Sequence, residues 1–258
     1  MAIHKTAIVD KSAKLAKDLE VGPYTVIGPE VEIDSGTWVG SHVVIKGPTK
    51  IGKNNKIYQF ASVGEDPQDK KYKGERSSLV IGDNNSIREC VTIHRGTAQD
   101  NNITTIGSHN LFMAYSHIAH DCIVGNHCVF ANSSAVAGHV RVDDHVIMSG
   151  LSGIHQFVHL GKHSFISNCS IINKDVPPFV MVTGGANPTA CGLNLEGLKR
   201  HGYTPDDVLW LRRAYKVIYR QGLRAEQAIE VLKQMEADNK YVKVFTEFLL
   251  SSKRGIIR

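Results

Sequence analysis

One period dominates this chain. Stepping by six from Ile3 meets Val9, Leu15, Val21, Ile27, Ile33, Val39, Ile45, Ile51, Ile57 and Val63. The same phase resumes at Ile81, Ile87 and Ile93. After a slip of one residue it runs through Ile106, Phe112, Ile118, Val124, Phe130, Val136, Val142, Met148, Ile154, Leu160, Ile166 and Ile172. All 26 positions are apolar in a chain that is 42% hydrophobic, which chance would give about once in ten billion trials. A period of six matches neither the 3.6-residue repeat of a helix nor the two-residue repeat of a strand. It matches a triangular parallel β-helix, in which each hexad forms one flat side and three hexads close one coil. Aliphatic side chains then point inward and stack coil on coil, at the inter-strand spacing of about 4.8 Å. The hexads predict between eight and nine coils, a prism roughly 40 Å long. Gly often follows the aliphatic residue, as at Gly22, Gly28, Gly40, Gly107 and Gly125, and is expected to supply permissive backbone near the corners.

Two stretches break the repeat, residues 66–78 (DPQDKKYKGERSS) and 97–103 (TAQDNNI). Excursions from a regular solenoid are where function gathers. The repeat is expected to stop at DVPPFV, because Pro177 and Pro178 cannot continue a hydrogen-bonded ladder. The reading is therefore a mainly β protein, a parallel β-helix over 1–176 followed by a small α-helical C-terminal domain over 177–258. In that domain Thr204 reads as an N-cap with Pro205 behind it, and Gly222 as a stop. Further helices are expected over 224–237 and 240–252, together capping the open end of the prism.

Charge is uneven. Residues 1–176 balance 17 Lys+Arg against 17 Asp+Glu, while 177–258 carry 13 against 8. A basic cap on a neutral body points to an acidic partner. The absence of aromatic-interleaved basic tracts argues against nucleic acid. Five cysteines without a CxxC pair read as free thiols in a reducing compartment. No apolar run of membrane-spanning length occurs, and the N-terminal stretch lacks a signal-peptide core, so a cytoplasmic location is expected.

HIAHDCIVGNHC, residues 117–128, concentrates histidines. With an 18-residue coil, His120, Gly138 and Gln156 share one column, and Asp121, His139 and Phe157 the next. His120, His139 and His155 should therefore converge near one edge, beside a glycine that leaves room for a ligand. Three imidazoles could hold zinc at about 2.0–2.1 Å, but no Cys or carboxylate completes a familiar ligand set. A second series, His109, His127, His145 and His163, recurs once per coil. These rings should stack at roughly 5 Å as a solvated or interface ladder, with adventitious metal binding the alternative. Protonating all four would make them repel.

The stretches IYQFASVGEDPQDKKYKGE, IRECVTIHRGT, HIAHDC, AGHVRVDDHVI, GIHQF, DVPPFV, NLEGLKRHG and AYKVIYRQG resemble the acyl-carrier-protein:UDP-N-acetylglucosamine O-acyltransferases. These hexapeptide-repeat enzymes open lipid A biosynthesis in Gram-negative bacteria, and the similarity spans essentially the whole chain. It implies a left-handed parallel β-helix and a homotrimer with active sites between prisms, so that the 66–78 loop would reach across an interface. It implies transfer of a 3-hydroxyacyl group from acyl carrier protein to the glucosamine 3-hydroxyl without a cofactor or a covalent acyl-enzyme. His120 becomes the general base, Asp121 its orienting partner and the Gly138 N–H the oxyanion donor. Substrate contacts map onto Asp69, Lys71, His117, His139, His155, Gln156, Asn194, Glu196 and Arg200, with Lys71 and Arg200 suited to phosphate. The acyl-length ruler maps onto Asn168, where Asn hints at a shorter chain than Gly would admit. His201 stands where the family often has a second Arg. The acidic carrier protein would account for the basic C-terminal region. The rival readings are a 3-amino-sugar acceptor, a γ-class carbonic-anhydrase-like zinc enzyme, and a non-catalytic scaffold.

Overall fold

The computed structural model describes residues 2–258. Strands β1 (Ala2–Ile3) to β26 (Ile171–Ile172) are two to four residues long, and each contains one of the periodic apolar residues. Within the prism each strand pairs in parallel with the third strand before it and the third after it, except at the two ends, which builds three flat sheets. Ile3 lies opposite Val21, Ile27 opposite Ile45 and Val124 opposite Val142. The triangular β-helix is thus present as the period predicted. Its interior is the column of periodic residues, nearly all fully buried; Phe112 and Phe130 stack inside it at 4.9 Å and 8°. Ile3 is exposed because no coil lies beneath the first one.

The corners correct the expected role of glycine. The chain turns with positive φ three residues after most of the aliphatic residues, at Tyr24, His42, Phe60, Asn84, His109, Asp121 and His139 among others. Gly64 alone of the glycines that follow an aliphatic residue is left-handed, with φ 79. The others serve close approach between coils. A Cβ on Gly22 would sit 2.7 Å from the carbonyl carbon of Gly40, and one on Gly107 would sit 2.5 Å from the Gly125 oxygen. The fifth hexad position is also buried and forms its own column. Asn55 Oδ1 accepts from the backbone and side-chain N–H of Asn85, Asn85 Oδ1 accepts from Asn110 N, and Asn110 Oδ1 accepts from Cys128 N. Each amide nitrogen donates to a glycine carbonyl, Gly82, Gly107 or Gly125.

Both interruptions leave the prism at the same edge, where the second sheet passes to the third. The first joins β11 (Ser62–Glu65) to β12 (Ser78–Ile81); the second joins β14 (Thr92–His94) to β15 (Ile103–Ile106). The HIAHDC stretch turns the same edge one coil later, between β17 (His117–Ile118) and β18 (Ile123–Val124).

The prolines do not end the sheet. Strand β27 (Val180–Thr183) adds in parallel to the first sheet and β28 (Thr189–Leu193) pairs with it antiparallel. The N–H groups that Pro177 and Pro178 lack fall in a turn, so no ladder bond is missing. Four helices follow: α1 (Leu195–Arg200), α2 (Pro205–Tyr219), α3 (Ala225–Met235) and α4 (Lys240–Ser251). Neither the hairpin nor α1 follows from the hexad pattern. Thr204 caps α2, with Asp207 returning the hydrogen bond as a capping box. Phe179, fully buried, meets Tyr203, Tyr241 and Phe245 and seals the prism. Among the described residues no helix is long and apolar enough to cross a membrane.

Candidate active site

Asp121 turns the HIAHDC corner in the left-handed conformation, φ 57. Its side chain is wholly buried, and the backbone of the second interruption closes on it. The carboxylate accepts from Thr97 N at 2.9 Å, from Thr97 Oγ1 at 2.6 Å and from His120 Nδ1 at 2.8 Å. Burial alone would raise the Asp121 carboxyl. The bonds from His120 and Thr97 outweigh it and hold the carboxyl below the usual carboxylate range. An ionised carboxylate only accepts, so Nδ1 of His120 carries hydrogen, and in the neutral ring Nε2 is the nitrogen with the lone pair. That Nε2 stands 3.9 Å from Asp69 Oδ2. A hydroxyl group set there could donate its single hydrogen to Nε2 at about 2.8 Å while lying beside the carboxylate.

Gly138 follows one coil later. A Cβ there would meet His120 Cε1 at 2.5 Å and Nε2 at 2.6 Å. The glycine therefore makes room for the imidazole itself, more directly than for a ligand. Its backbone N–H is unpaired among the described residues. A base and a free N–H together can take a proton from a hydroxyl and receive a developing oxyanion.

From this corner a groove of about 400 Å³ runs over the second sheet, lined in part by Gln68, His117, His120, His155, Gln156 and Ile171. Its floor is the column of outward-facing residues His117, Ala135, Gly153 and Ile171, in register coil by coil. Ala135 and Gly153 keep the floor open, and nothing lies within 4 Å of a Cβ added to Gly153. Such a channel suits an unbranched apolar chain lying along the prism.

His139 packs edge-on against His120, with centroids 4.9 Å apart, and its Nδ1 meets Asp100 Oδ2 at 2.7 Å. His155 lines the groove, with its Nδ1 3.2 Å from the Gln156 oxygen, but does not join His120 and His139 within ligand reach. The cluster that does form is His120, Asp121 and His139, with ligand atoms within 4.8 Å of one another. A carboxylate is thus present where the sequence reading saw none. Its oxygens already accept from Thr97 and His120, and His139 is engaged by Asp100, so a metal there would have to displace those bonds. The donor set does not fit a resident zinc.

Several contributors were missed. His94 lies edge-on to His117 at 4.9 Å, and burial, reinforced by His117, pushes its imidazole down to about 4. His117 is lowered too, by burial and by His120, and its Nδ1 meets Thr92 Oγ1 at 2.7 Å. Arg95, buried, bonds to Asp66 and to the Gly64 carbonyl and so ties down the first interruption. Thr97 and Asp100 came from a stretch flagged only as a break. That loop sequence is aperiodic, so only the shared edge could have signalled their roles. The first interruption brings Asp69 to His120 of its own chain.

Residues 175–257, the C-terminal third, match a family model described as UDP-N-acetylglucosamine O-acyltransferase, domain 2, and residues 103–138 match the bacterial transferase hexapeptide model. The acyl-(acyl-carrier-protein)–UDP-N-acetylglucosamine O-acyltransferase of Saccharophagus degradans is 57% identical over 256 residues, 99% of each chain. The chain belongs to this acyltransferase family. The protein of the same name from Tolumonas auensis is 60% identical over 91% of this chain and 89% of its own. The structure of LpxA from Acinetobacter baumannii superposes with a TM-score of 0.98 at 51% identity, covering all of both chains. That of UDP-N-acetylglucosamine O-acyltransferase from Moraxella catarrhalis superposes with 0.98 at 46%, again over all of both chains.

Within one chain of this acyltransferase, the remaining expected residues stand apart from His120. Lys71 is exposed, and its N–H donates to Asp69 Oδ1 at 2.9 Å. Asn194 caps α1 by accepting from Gly197 N and donates to the His163 carbonyl at 3.1 Å. Glu196 and Arg200 pair at 3.2 Å on the exposed face of α1. Asn168 is exposed and outside the groove lining, where Ile171 stands instead. The histidine ladder is stacked as expected, at 4.8, 4.9 and 4.5 Å. It is not solvated throughout, because the cap buries His163.

Proposed function

We propose that the protein transfers a 3-hydroxyacyl chain from acyl carrier protein to the 3-hydroxyl of UDP-N-acetylglucosamine, the first step of lipid A biosynthesis. One observation carries the mechanism: His120 is held through Nδ1 by Asp121, itself held by Thr97, with Nε2 facing Asp69 beside the Gly138 N–H. The sugar hydroxyl sits between Asp69 and His120, and Nε2 takes its proton as the oxygen attacks the thioester carbon. The Gly138 N–H receives the oxyanion of the tetrahedral intermediate. Collapse breaks the carbon–sulfur bond, and the departing carrier thiolate recovers the proton from His120. No covalent acyl-enzyme is required, in keeping with Cys122 and Cys128, whose buried thiols are pushed up to about 12.

The apolar groove over Ala135 and Gly153 takes the acyl chain, and Asn168 borders its end from the surface. His117, His139, His155 and Gln156 surround the sugar, with Lys71 reaching toward it. Asn194, Glu196 and Arg200 are supplied by a neighbouring copy, with Arg200 on phosphate. A homotrimer brings them there. Its support is the outward face of the second sheet and its flanking edge, which expose Ile8, Tyr24, Phe60, Tyr115, Leu151 and Ile171. The carrier protein docks on α2, where Arg212, Arg213, Lys216 and Arg220 surround exposed Leu195 and Leu209. We take residues 1–176 as the coil unit and 177–258 as the cap, a division that the domain 2 match supports. Five unpaired thiols suit a cytoplasmic location.

The test is incubation of the purified protein with UDP-N-acetylglucosamine and 3-hydroxyacyl carrier proteins of graded length, with acyl-sugar followed by mass spectrometry. Wild type should form ester product, and His120→Ala should lose about 10²–10⁴-fold in rate. Equal product from the variant would sink the mechanism. Product only with a 3-amino sugar would move the acceptor.

A further inference from the structure

The reaction leaves one group of side chains unused. His145 and His163 occupy another edge of the prism, one coil apart, with rings parallel within 1° and centroids 4.5 Å apart. His201, the C-cap of α1, leans across both at 65° and 64°, with centroids at 4.5 and 4.8 Å. One ligand nitrogen from each residue lies within 4.8 Å of the other two.

Two further observations concern where the lone pairs are. His201 Nδ1 is 2.7 Å from the Gly197 carbonyl oxygen. A carbonyl can only accept, so Nδ1 carries hydrogen, and in the neutral ring Nε2 is the nitrogen free to ligate. Backbone carbonyls fix the tautomer of metal-bound histidines in this way. His145 Nδ1 is buried and has no hydrogen-bond partner. We propose that His145, His163 and His201 bind a first-row divalent cation, zinc first among them, through three imidazoles with the fourth position open to water.

Neutral imidazole suits this class of ion. Tetrahedral zinc needs ligand nitrogens roughly 3.4 Å apart. The nitrogens therefore draw together on binding, and one of the stacked rings turns out of parallel. His201 sits on the exposed side and closes last. Because His201 ends α1 while His145 and His163 belong to the coils, the ion clamps the cap to the prism. Helix α1 is then fixed relative to the ladder edge.

The full-length protein, stripped with chelator and dialysed, would be titrated with Zn²⁺ by calorimetry and with Co²⁺ by visible absorption. We expect one Zn²⁺ per chain, the intense bands of tetrahedral Co²⁺, and a higher melting temperature with metal. His201→Gln and His163→Phe should each weaken binding at least tenfold, the latter while keeping a ring in the stack. His139→Gln, in the other histidine cluster, should bind as wild type does. Cooperative melting of each variant without metal checks its fold, and exposed His201 gives the decisive variant if His163→Phe does not fold. Absence of stoichiometric binding by wild type overturns the proposal. So does binding indifferent to His201→Gln, or binding abolished by His139→Gln.

Discussion

Gly138 is where the smallest change should have the largest effect. A methyl group there collides with the His120 imidazole at 2.5 Å, and the ring, held by Asp121, has no slack in which to move. Gly138→Ala should therefore fold normally and lose about a hundredfold in kcat, since displacing a reacting group by an ångström costs that much. Steady-state kinetics with a thermal melt of the same sample would check it; wild-type kcat would show that the ring has another rotamer that works. The His120–Gly138 pairing was legible from the coil length alone, because residues 18 apart in sequence stack. Thr97, Asp100, Arg95 and His94 were not. Two of them sit in an aperiodic loop, and the other two sit beside one, where spacing carries no information about what faces what.

At the level of elements, the buried asparagine column and the histidine ladder make opposite predictions about polar groups in a β-helix. Both N–H donors and the oxygen of the Asn85 side chain are used, all of them to neighbouring coils. Asn85→Ala would strand the Gly107 carbonyl and the Asn110 N–H in the core, and should destabilise by about 3 kcal/mol, read from denaturant midpoints. The ladder gains stability from being uncharged. Burial, then His145 and His201, pushes His163 down to about 3, and His145 is lowered by burial, then by His201 and His127. A depressed histidine takes up protons more readily when unfolded, so its contribution is whole above pH 6.5 and falls as pH drops from there toward the folded value. Wild type should lose melting temperature steadily below pH 6.5, and His163→Phe should lose less; parallel curves for the two would refute this. The strands themselves were legible because each hexad carries one inward residue. The β27–β28 hairpin and α1 were hidden because the sequence there stops repeating, and Pro177 and Pro178 read as a stop when they form only a turn.

Across the whole molecule, surface character divides along the prism axis. The apolar face of the second sheet and its flanking edge should hold the copies of the proposed trimer together: Tyr115→Lys with Leu151→Lys, both on that edge, should turn it into monomer by light scattering and abolish activity. An unchanged mass would place the interface elsewhere. The basic cap should act on encounter instead. Arg212→Glu with Arg213→Glu should raise KM for the acyl carrier protein about tenfold or more at low salt while leaving KM for the sugar nucleotide alone. The corner insertions bear on how such a chain can change length. Between corners, one residue added or removed turns every later aliphatic side chain out of its column, so the coils have a reading frame of 18 residues, much as a coding sequence has one of three. At the His120 edge that frame is suspended: the chain departs, returns and resumes in phase with the strand below. Segments of any length and composition can be spliced in there without disturbing a single core contact. The edge where the fold tolerates improvisation is the edge where we propose that the substrate is met.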